Sequence, residues 1–216
     1  MLKKRVSEGS SGSDIKIAAI ANTAARLFSS KGFVETSMED VAAAAKISKG
    51  SIYYYFSNKC DILDHILSTF MDRVLENAGH ELDEIDDPEE RIRIMILRHV
   101  KTYTGNMYLA KTLMHEAHNL PAARHRKIKA KERQYFKIVS GALSSYLNDN
   151  KEKDRLTVLT FNLLGMCNWL YSWYDPKKST GPEQLARLIF DTFMNGLSGF
   201  ARTTRQAGGT GHRRWR

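Results

Sequence analysis

Cysteine is close to absent: the 216 residues hold two, Cys60 and Cys167, far apart and set in different apolar patterns. That count excludes a disulfide framework and points to reduced thiols in a cytoplasmic setting. The N-terminus carries no apolar run, so no signal peptide is expected, and no membrane span either, since no stretch of 18 or more apolar residues exists. Proline is scarce, with four residues that all lie beyond position 87. Alternating β-branched runs are few too, so helices rather than strands are the expected elements. HExxH, Walker and GxSxG motifs are missing, as is any nucleophile, base and orienter set. His115 and His118 stand at i, i+3, but two histidines with Glu116 make an incomplete ligand set. No metal, no cofactor and no enzymatic chemistry are expected.

What is present is a chain with 42% apolar residues, enough for a sizeable core, and a net charge of +9 that is unevenly spread. Residues 1–60 carry 9 basic and 5 acidic side chains, whereas residues 61–120 carry 6 and 12. Residues 121–180 are basic again, with 12 against 5. A basic head before an acidic body suits nucleic-acid binding by the head alone, although ordinary surface variation gives the same pattern.

Residues 1–13 end in Gly-Ser-Ser-Gly-Ser and have no apolar face, so they read as a flexible basic arm. Residues 205–216, Gly-rich and basic, read as a disordered tail. Between them the spacing predicts an all-α chain of about nine helices. Ile17, Ile20, Ala24, Leu27 and Phe28 define the first, from Asp14 to a stop at Gly32. Thr36-Ser-Met-Glu39 has a capping-box pattern and opens a short helix to about residue 45. Ser48 opens another, ending near Phe56, and Ser57 or Asn58 caps a long one over 59–82. Asp87-Pro-Glu-Glu90 is a strong start for the next, on which Ile92, Met95, Ile96, His99, Val100 and Tyr103 recur at helical spacing. Further helices are predicted at 106–118, 122–148, 152–174 and 182–203.

Residues 36–59, TSMEDVAAAAKISKGSIYYYFSNK, are the informative segment. Two helices this short are marginal alone and make sense only when packed on one another. Val41, Ile47, Ile52 and Phe56 can form the shared seam, and Ala42 to Ala45 permit a close crossing. The second helix opens on small and polar residues, Ser48-Lys-Gly-Ser51, suited to phosphate or base-edge contact. Tyr53, Tyr54 and Tyr55 point in successive directions, so at least one faces outwards, where it can bond a phosphate or pack on a thymine methyl. A helical hairpin with an exposed aromatic face is the alternative reading of the same residues.

The run Phe28, Gly32-Phe33, Thr36-Ser-Met-Glu-Asp-Val-Ala42, Ile47-Ser-Lys-Gly-Ser-Ile-Tyr-Tyr-Tyr-Phe-Ser-Asn-Lys59 and Ile62-Leu63 resembles the DNA-binding domain of TetR-type regulators. The resemblance implies a helix-turn-helix head over 14–60 and a ligand-binding and dimerisation domain over 61–204. It implies operator contact by Thr36 or Ser37, Ser48, Lys49, Gly50, Ser51, Tyr53, Tyr54 and Lys59. The family has glycine in the turn where this chain has Lys46. A left-handed turn there costs a residue with a side chain about 1 kcal/mol, so either the turn is slightly remodelled or Lys46 adds a phosphate contact.

Behind the head, residues 156–174 are almost wholly apolar and aromatic, a helix with two faces to cover. On 182–203, Leu185, Leu188, Phe193, Gly196, Leu197 and Phe200 form the expected seam of a homodimer. The family likeness implies that the last two helices make a four-helix bundle between copies. The pattern from Gly165 through Asn168-Trp169 and Trp173-Tyr174 to Gly196-Leu197 resembles the branch that senses fatty acyl-CoA or related CoA thioesters. Met95, Tyr103, Met107, Met114, Phe161, Leu164 and Trp169 could line an acyl tunnel, with Asn168 and Glu116 as its polar members. The basic run Arg124 to Arg133 supplies either cations for CoA phosphates or a solvated helix face. The expected function is a repressor released from operator DNA by its ligand, with the helix over 59–82 as the lever. A multidrug sensor using Glu116, or an acyl-CoA-binding protein or thioester enzyme, are the alternatives.

Overall fold

The computed structural model describes residues 8–76, 78, 82, 84–148, 152–177 and 180–207, side chains excepted at 8–11 and 197–207. Among the described residues every regular element is helical, as expected. The order is α1 (Glu8–Lys31), α2 (Met38–Ala44), α3 (Lys49–Tyr55), α4 (Lys59–Glu76), α5 (Pro88–Thr104), α6 (Met107–Glu116), α7 (Ala122–Leu147), α8 (Lys153–Asn168), α9 (Leu170–Trp173) and α10 (Pro182–Ala207).

Several boundaries differ from the sequence expectation. Residues 152–174 do not run as one helix: α8 ends at Asn168, and the single turn α9 follows after Trp169. Gly165 and Asn168, both weak helix formers, sit at that break. α1 begins at Glu8 rather than Asp14. Adding Ser and Gly to a helix already nucleated costs only a few tenths to about 1 kcal/mol each, so residues 8–13 leave the expected arm. Residues 1–7 lie outside the described residues. α4 stops at Glu76, short of 82. α10 reaches Ala207, which takes 205–207 out of the expected tail, and 208–216 lie outside the described residues.

The chain forms two compact units, which change over at Arg73/Val74, Gly105/Asn106 and Glu132/Arg133 rather than at residue 60. The first unit holds α1 to α3, most of α4, all of α6 and the start of α7. Its core is built on Phe28, Ile52, Ile62, Leu63, Ile66 and Phe70, all fully buried and each contributing about 1.5–3 kcal/mol. Thr112 Oγ1 donates to the carbonyls of Tyr108 (2.7 Å) and Ala25 (3.3 Å) and so ties α6 to α1. Arg124 pairs with Asp61 at 2.6 Å, and Lys131 with Asp72 at 2.7 Å, fixing the start of α7 to α4.

The second unit holds α5, the rest of α7, and α8 to α10. α10 packs along α5, where the Arg93 guanidinium lies over the Phe190 ring at 4.1 Å. Ile92, Ile96, Val100, Leu143, Leu163 and Leu170 are among its fully buried aliphatic members.

Candidate functional site

α2 is started by Ser37, one residue later than the expected cap. Ser37 Oγ accepts from the Asp40 amide (3.0 Å), and the Ser37 amide donates to Asp40 Oδ2 (2.9 Å), a reciprocal capping box. Lys31 reaches the same carboxylate at 2.7 Å. The ammonium, with help from the Ser37 amide, holds the Asp40 pKa down at about 2.

The turn between α2 and α3 is not remodelled: Lys46 itself takes the left-handed conformation, with φ 57°. The Lys46 amide donates to Ala43 O (3.1 Å) and the Ile47 amide to Ala42 O (3.0 Å). This is a Schellman closure of α2, and it explains why the turn tolerates a side chain at a strained position. Ser48 then caps α3 by accepting from the Ser51 amide (3.1 Å). Met38, Val41, Ala42, Ile52 and Phe56 are buried between the two helices and the core. Ile47 of the expected seam is only half-buried.

Ser48, Lys49, Gly50, Tyr53 and Tyr54 all lie on the exposed side of α3, with Ser51 half-buried. Tyr54 is 81% exposed, and its ring meets only the edge of Tyr55. A side chain at Gly50 would meet nothing within 4 Å. Gly50 is the second residue of the helix, a position where glycine is a weaker helix former than alanine, and among the described residues no neighbour requires it. Lys49 is exposed and pairs with Glu39 at 2.6 Å; this bond and the charge of the ammonium lower the Glu39 pKa. Ser37 and Lys46 are exposed as well.

Two of the expected DNA contacts are placed otherwise. Thr36 is 1% exposed, and its hydroxyl donates to Gly32 O at 2.7 Å, so it closes the α1–α2 turn from inside. Lys59 turns inward: its ammonium donates to the carbonyls of Phe33 and Val34 and sits 4.3 Å from the centre of the Phe33 ring. Sequence reasoning missed this role because the carbonyls it satisfies lie some twenty-five positions away.

The second unit contains a narrow, tightly closed recess, walled by Val74, Ala78 and Met95 and by the polar Arg98, His99, Thr102 and Tyr135. Of the expected ligand residues only Met95 lines it. Tyr103 stacks on the His99 ring at 4.2 Å, and Asn168 lies beside the same ring. Phe161 and Trp169 are each 61% exposed, because the outer side of α8 and α9 is as apolar as the inner side. Leu164 is half-buried away from the recess. Met107, Met114 and Glu116 belong to α6 in the first unit, and Glu116 accepts a hydrogen bond from Asn119 at 2.9 Å. Arg124, Lys129 and Lys131 of the basic run are ion-paired.

His99 is the chemical centre of the recess. Its Nδ1 and the Tyr135 hydroxyl are 2.7 Å apart. Burial drives the His99 pKa down to about 3, against a weaker upward pull from the Asn168 amide. Burial likewise raises Tyr135 well above its ordinary range and Cys167 to about 12. His99 Nε2 and Asn168 Oδ1 are both buried, and the two side chains are hydrogen-bonding neighbours.

The expected seam on α10 divides by facing. Leu185 and Phe193 are buried in the protomer core, which corrects their assignment, while Leu188 and Gly196 are exposed. Leu197 and Phe200 have side chains outside the described residues. Val158, Phe161, Trp169 and Trp173, each more than half exposed, carry an apolar surface along α8 and α9.

Two short, capped helices crossing at a Schellman turn, with the second presenting polar and aromatic side chains outward, define a helix-turn-helix protein. The profile of bacterial regulatory proteins of the tetR family matches residues 20–66, and that of the tetracyclin repressor-like C-terminal domain matches residues 85–197. The chain belongs to the TetR family of transcriptional regulators. A fatty acid metabolism regulator protein of Bacillus subtilis is 24% identical over 66% of this chain and 74% of its own length. The crystal structure of a TetR-family regulator from Bordetella parapertussis is 28% identical, covers 82% of this chain and 93% of its own, and superposes with a TM-score of 0.79. The regulator AibR, solved in complex with isovaleryl coenzyme A and operator DNA, is 28% identical over 82% of this chain and 97% of its own, with a TM-score of 0.71. No described helix is long and apolar enough to cross a membrane.

Proposed function

We propose that this TetR-family regulator binds operator DNA as a homodimer, represses transcription, and leaves the DNA when a CoA thioester of a small or fatty acid binds the second unit. The observation that carries the DNA-reading surface is the exposed row Ser48, Lys49, Gly50, Tyr53 and Tyr54 on α3, with open space at Gly50 for a phosphate or base to approach the backbone. Ser37 and Lys46 flank that row, whereas Thr36 and Lys59 position it from behind.

The effector reading is supported by the lining of the recess, which joins apolar walls to Arg98 and, among the described residues, contains no carboxylate. That balance suits an anionic ligand with an apolar chain. It speaks against the flat organic cations of a multidrug sensor, whose acid would have been Glu116. The isovaleryl coenzyme A complex of AibR gives the same reading its ligand class. The apolar strip Val158, Phe161 and Leu188, with Gly165 and Gly196 exposed near it, is the proposed dimer seam. Release requires the ligand to favour the non-binding conformation by roughly 1–3 kcal/mol or more.

Fluorescence anisotropy on DNA from upstream of the protein's own gene tests the proposal. Salt-dependent, sequence-preferring binding that a short-chain acyl-CoA reverses is the expected result. Binding without sequence preference refutes the operator reading; binding indifferent to acyl-CoAs refutes the effector reading alone.

A further inference from the structure

The reading row on α3 has a carboxylate beside it. Lys49 is the first residue of α3, and its ammonium lies 2.6 Å from the carboxylate of Glu39, in the first turn of α2. Both side chains are exposed, Lys49 at 67% and Glu39 at 53%. The two acids of that turn serve the fold differently. Asp40 closes the capping box with Ser37 and binds Lys31, whereas Glu39 takes no part in the cap. Ala43, one turn further along α2, is exposed and short, and a side chain at Gly50, next to Lys49, would meet nothing within 4 Å. Both helices therefore keep a low profile beside the pair.

A carboxylate on a DNA-binding surface is repelled by every phosphate, so charge gives no reason for it there. The groups of a duplex from which it can accept are base amino groups in the major groove. Adenine sets its amino group beside N7, an acceptor that repels a carboxylate, so cytosine N4 is the better fit. The N-terminal residues of a recognition helix are the ones that meet base edges, and the ion pair holds Glu39 next to the first of them. Once the ammonium is drawn to a phosphate or a guanine, the carboxylate faces the groove without it, and a base amino group can take its place. We propose that Glu39 is a specificity-determining residue, which accepts a hydrogen bond from a cytosine amino group in each half-site of the operator. This rests on the operator reading above and goes beyond it by assigning a base to an acid outside the α3 row.

The test is selection of bound sites from a randomised duplex pool by the full chain, alongside Glu39→Gln and Glu39→Ala. The wild type is expected to select a cytosine in each half-site whose replacement weakens binding about ten- to a hundredfold. In Glu39→Ala that preference is expected to fall to within about threefold of unity while the other positions keep theirs. In Glu39→Gln it is expected to move to adenine, which a glutamine amide meets at N6 and N7. Identical base preferences in all three proteins, with at most a uniform change of affinity, overturn the proposal and leave the operator reading standing. Loss of preference at a position where the wild type selects another base overturns it as well. No sequence preference in the wild type overturns both.

Glu39 is exposed, so both variants are expected to melt within about 2 °C of the wild type. A readout on the unaltered protein covers the case in which they do not. Nitrogen-15 NMR of the selected duplex, labelled at its cytosine amino groups, is expected to show an amino proton in each half-site that moves downfield on binding. Cytosine amino signals that all stay in place refute the contact.

Discussion

The helix-turn-helix and the recess treat their polar groups in opposite ways. Around α2 and α3 the polar backbone is satisfied: Ser37 and Ser48 cap the two helix starts locally, and Lys59 at the start of α4 reaches back to two loop carbonyls. With the backbone thus settled, Ser48, Lys49, Tyr53 and Tyr54 face solvent. Water can satisfy them until another partner replaces it. Around the recess the polar groups are buried and answer one another: His99 Nδ1 meets the Tyr135 hydroxyl at 2.7 Å, and Asn168 lies beside the same ring. A surface of the first kind accepts many contacts in turn, while a cluster of the second kind is held in one arrangement.

The comparison breaks most sharply at Phe56, which closes the seam behind α3. Phe56→Ala is expected to cost about 3–5 kcal/mol of stability, measured by urea denaturation, and to weaken DNA binding with it. A loss below about 1 kcal/mol would mean that α3 does not depend on that seam.

The recess gives an acid-side prediction. The folded-state pKa of His99 is about 3, below the ordinary 6.5, so the unfolded chain binds the extra proton between those values. Its contribution is therefore complete above about pH 6.5 and is lost as pH falls towards 3, by about 1.4 kcal/mol per unit. His65, half-buried against Phe56, has its pKa lowered by desolvation in the same direction. Denaturation of wild type and His99→Phe at several pH values should show a shallower slope in the variant. Identical slopes refute the buried neutral imidazole.

Tyr54→Ala sharpens the contrast from the other side. The ring is mostly in solvent, so Tm should stay within about 1 °C, whereas operator affinity should drop by about 1–3 kcal/mol. A melting shift with unchanged affinity would reverse the assignment. The smallest effect is expected at Lys46→Gly. Relief of the left-handed strain should raise stability by up to about 1 kcal/mol, less the entropy that glycine adds to the unfolded chain.

The head was readable from sequence because its signals are local. Ser37, Lys46 and Ser48 act on amides and carbonyls within five positions, and even the strained Lys46 was visible as an irregular turn residue. Thr36 and Lys59 misled because a hydroxyl or an ammonium looks the same in sequence whether it faces out or in. The recess was not readable in that way. Val74, Met95 and Tyr135 meet across dozens of residues, and Tyr135 follows a run of charges that suggests a solvated surface. His99 was visible on the apolar stripe of α5, but its pairing with Tyr135 was not. On α8 and α9 nearly every position is apolar, so composition could not separate Leu163, which is buried, from Phe161, which is exposed. On α10, Leu185 and Leu188 share a stripe three residues apart, yet the first is buried and the second is 53% exposed, because the edge of the buried face runs between them.

The ion pair between Glu39 and Lys49 has a consequence for how fast an operator is found. On the proposed interface, the ammonium must leave a carboxylate 2.6 Å away before it can reach a phosphate. The cost applies to every stretch of duplex, whereas contacts to base edges are gained only at the right one. Because it applies everywhere, an acid in that place shortens residence on random sequence and on the operator by the same factor, and the preference between them stays with the base-edge contacts. On that reading the carboxylate on α2 trades dwell time for search, since a regulator that lets go sooner of the wrong sites tests more of them in a given time.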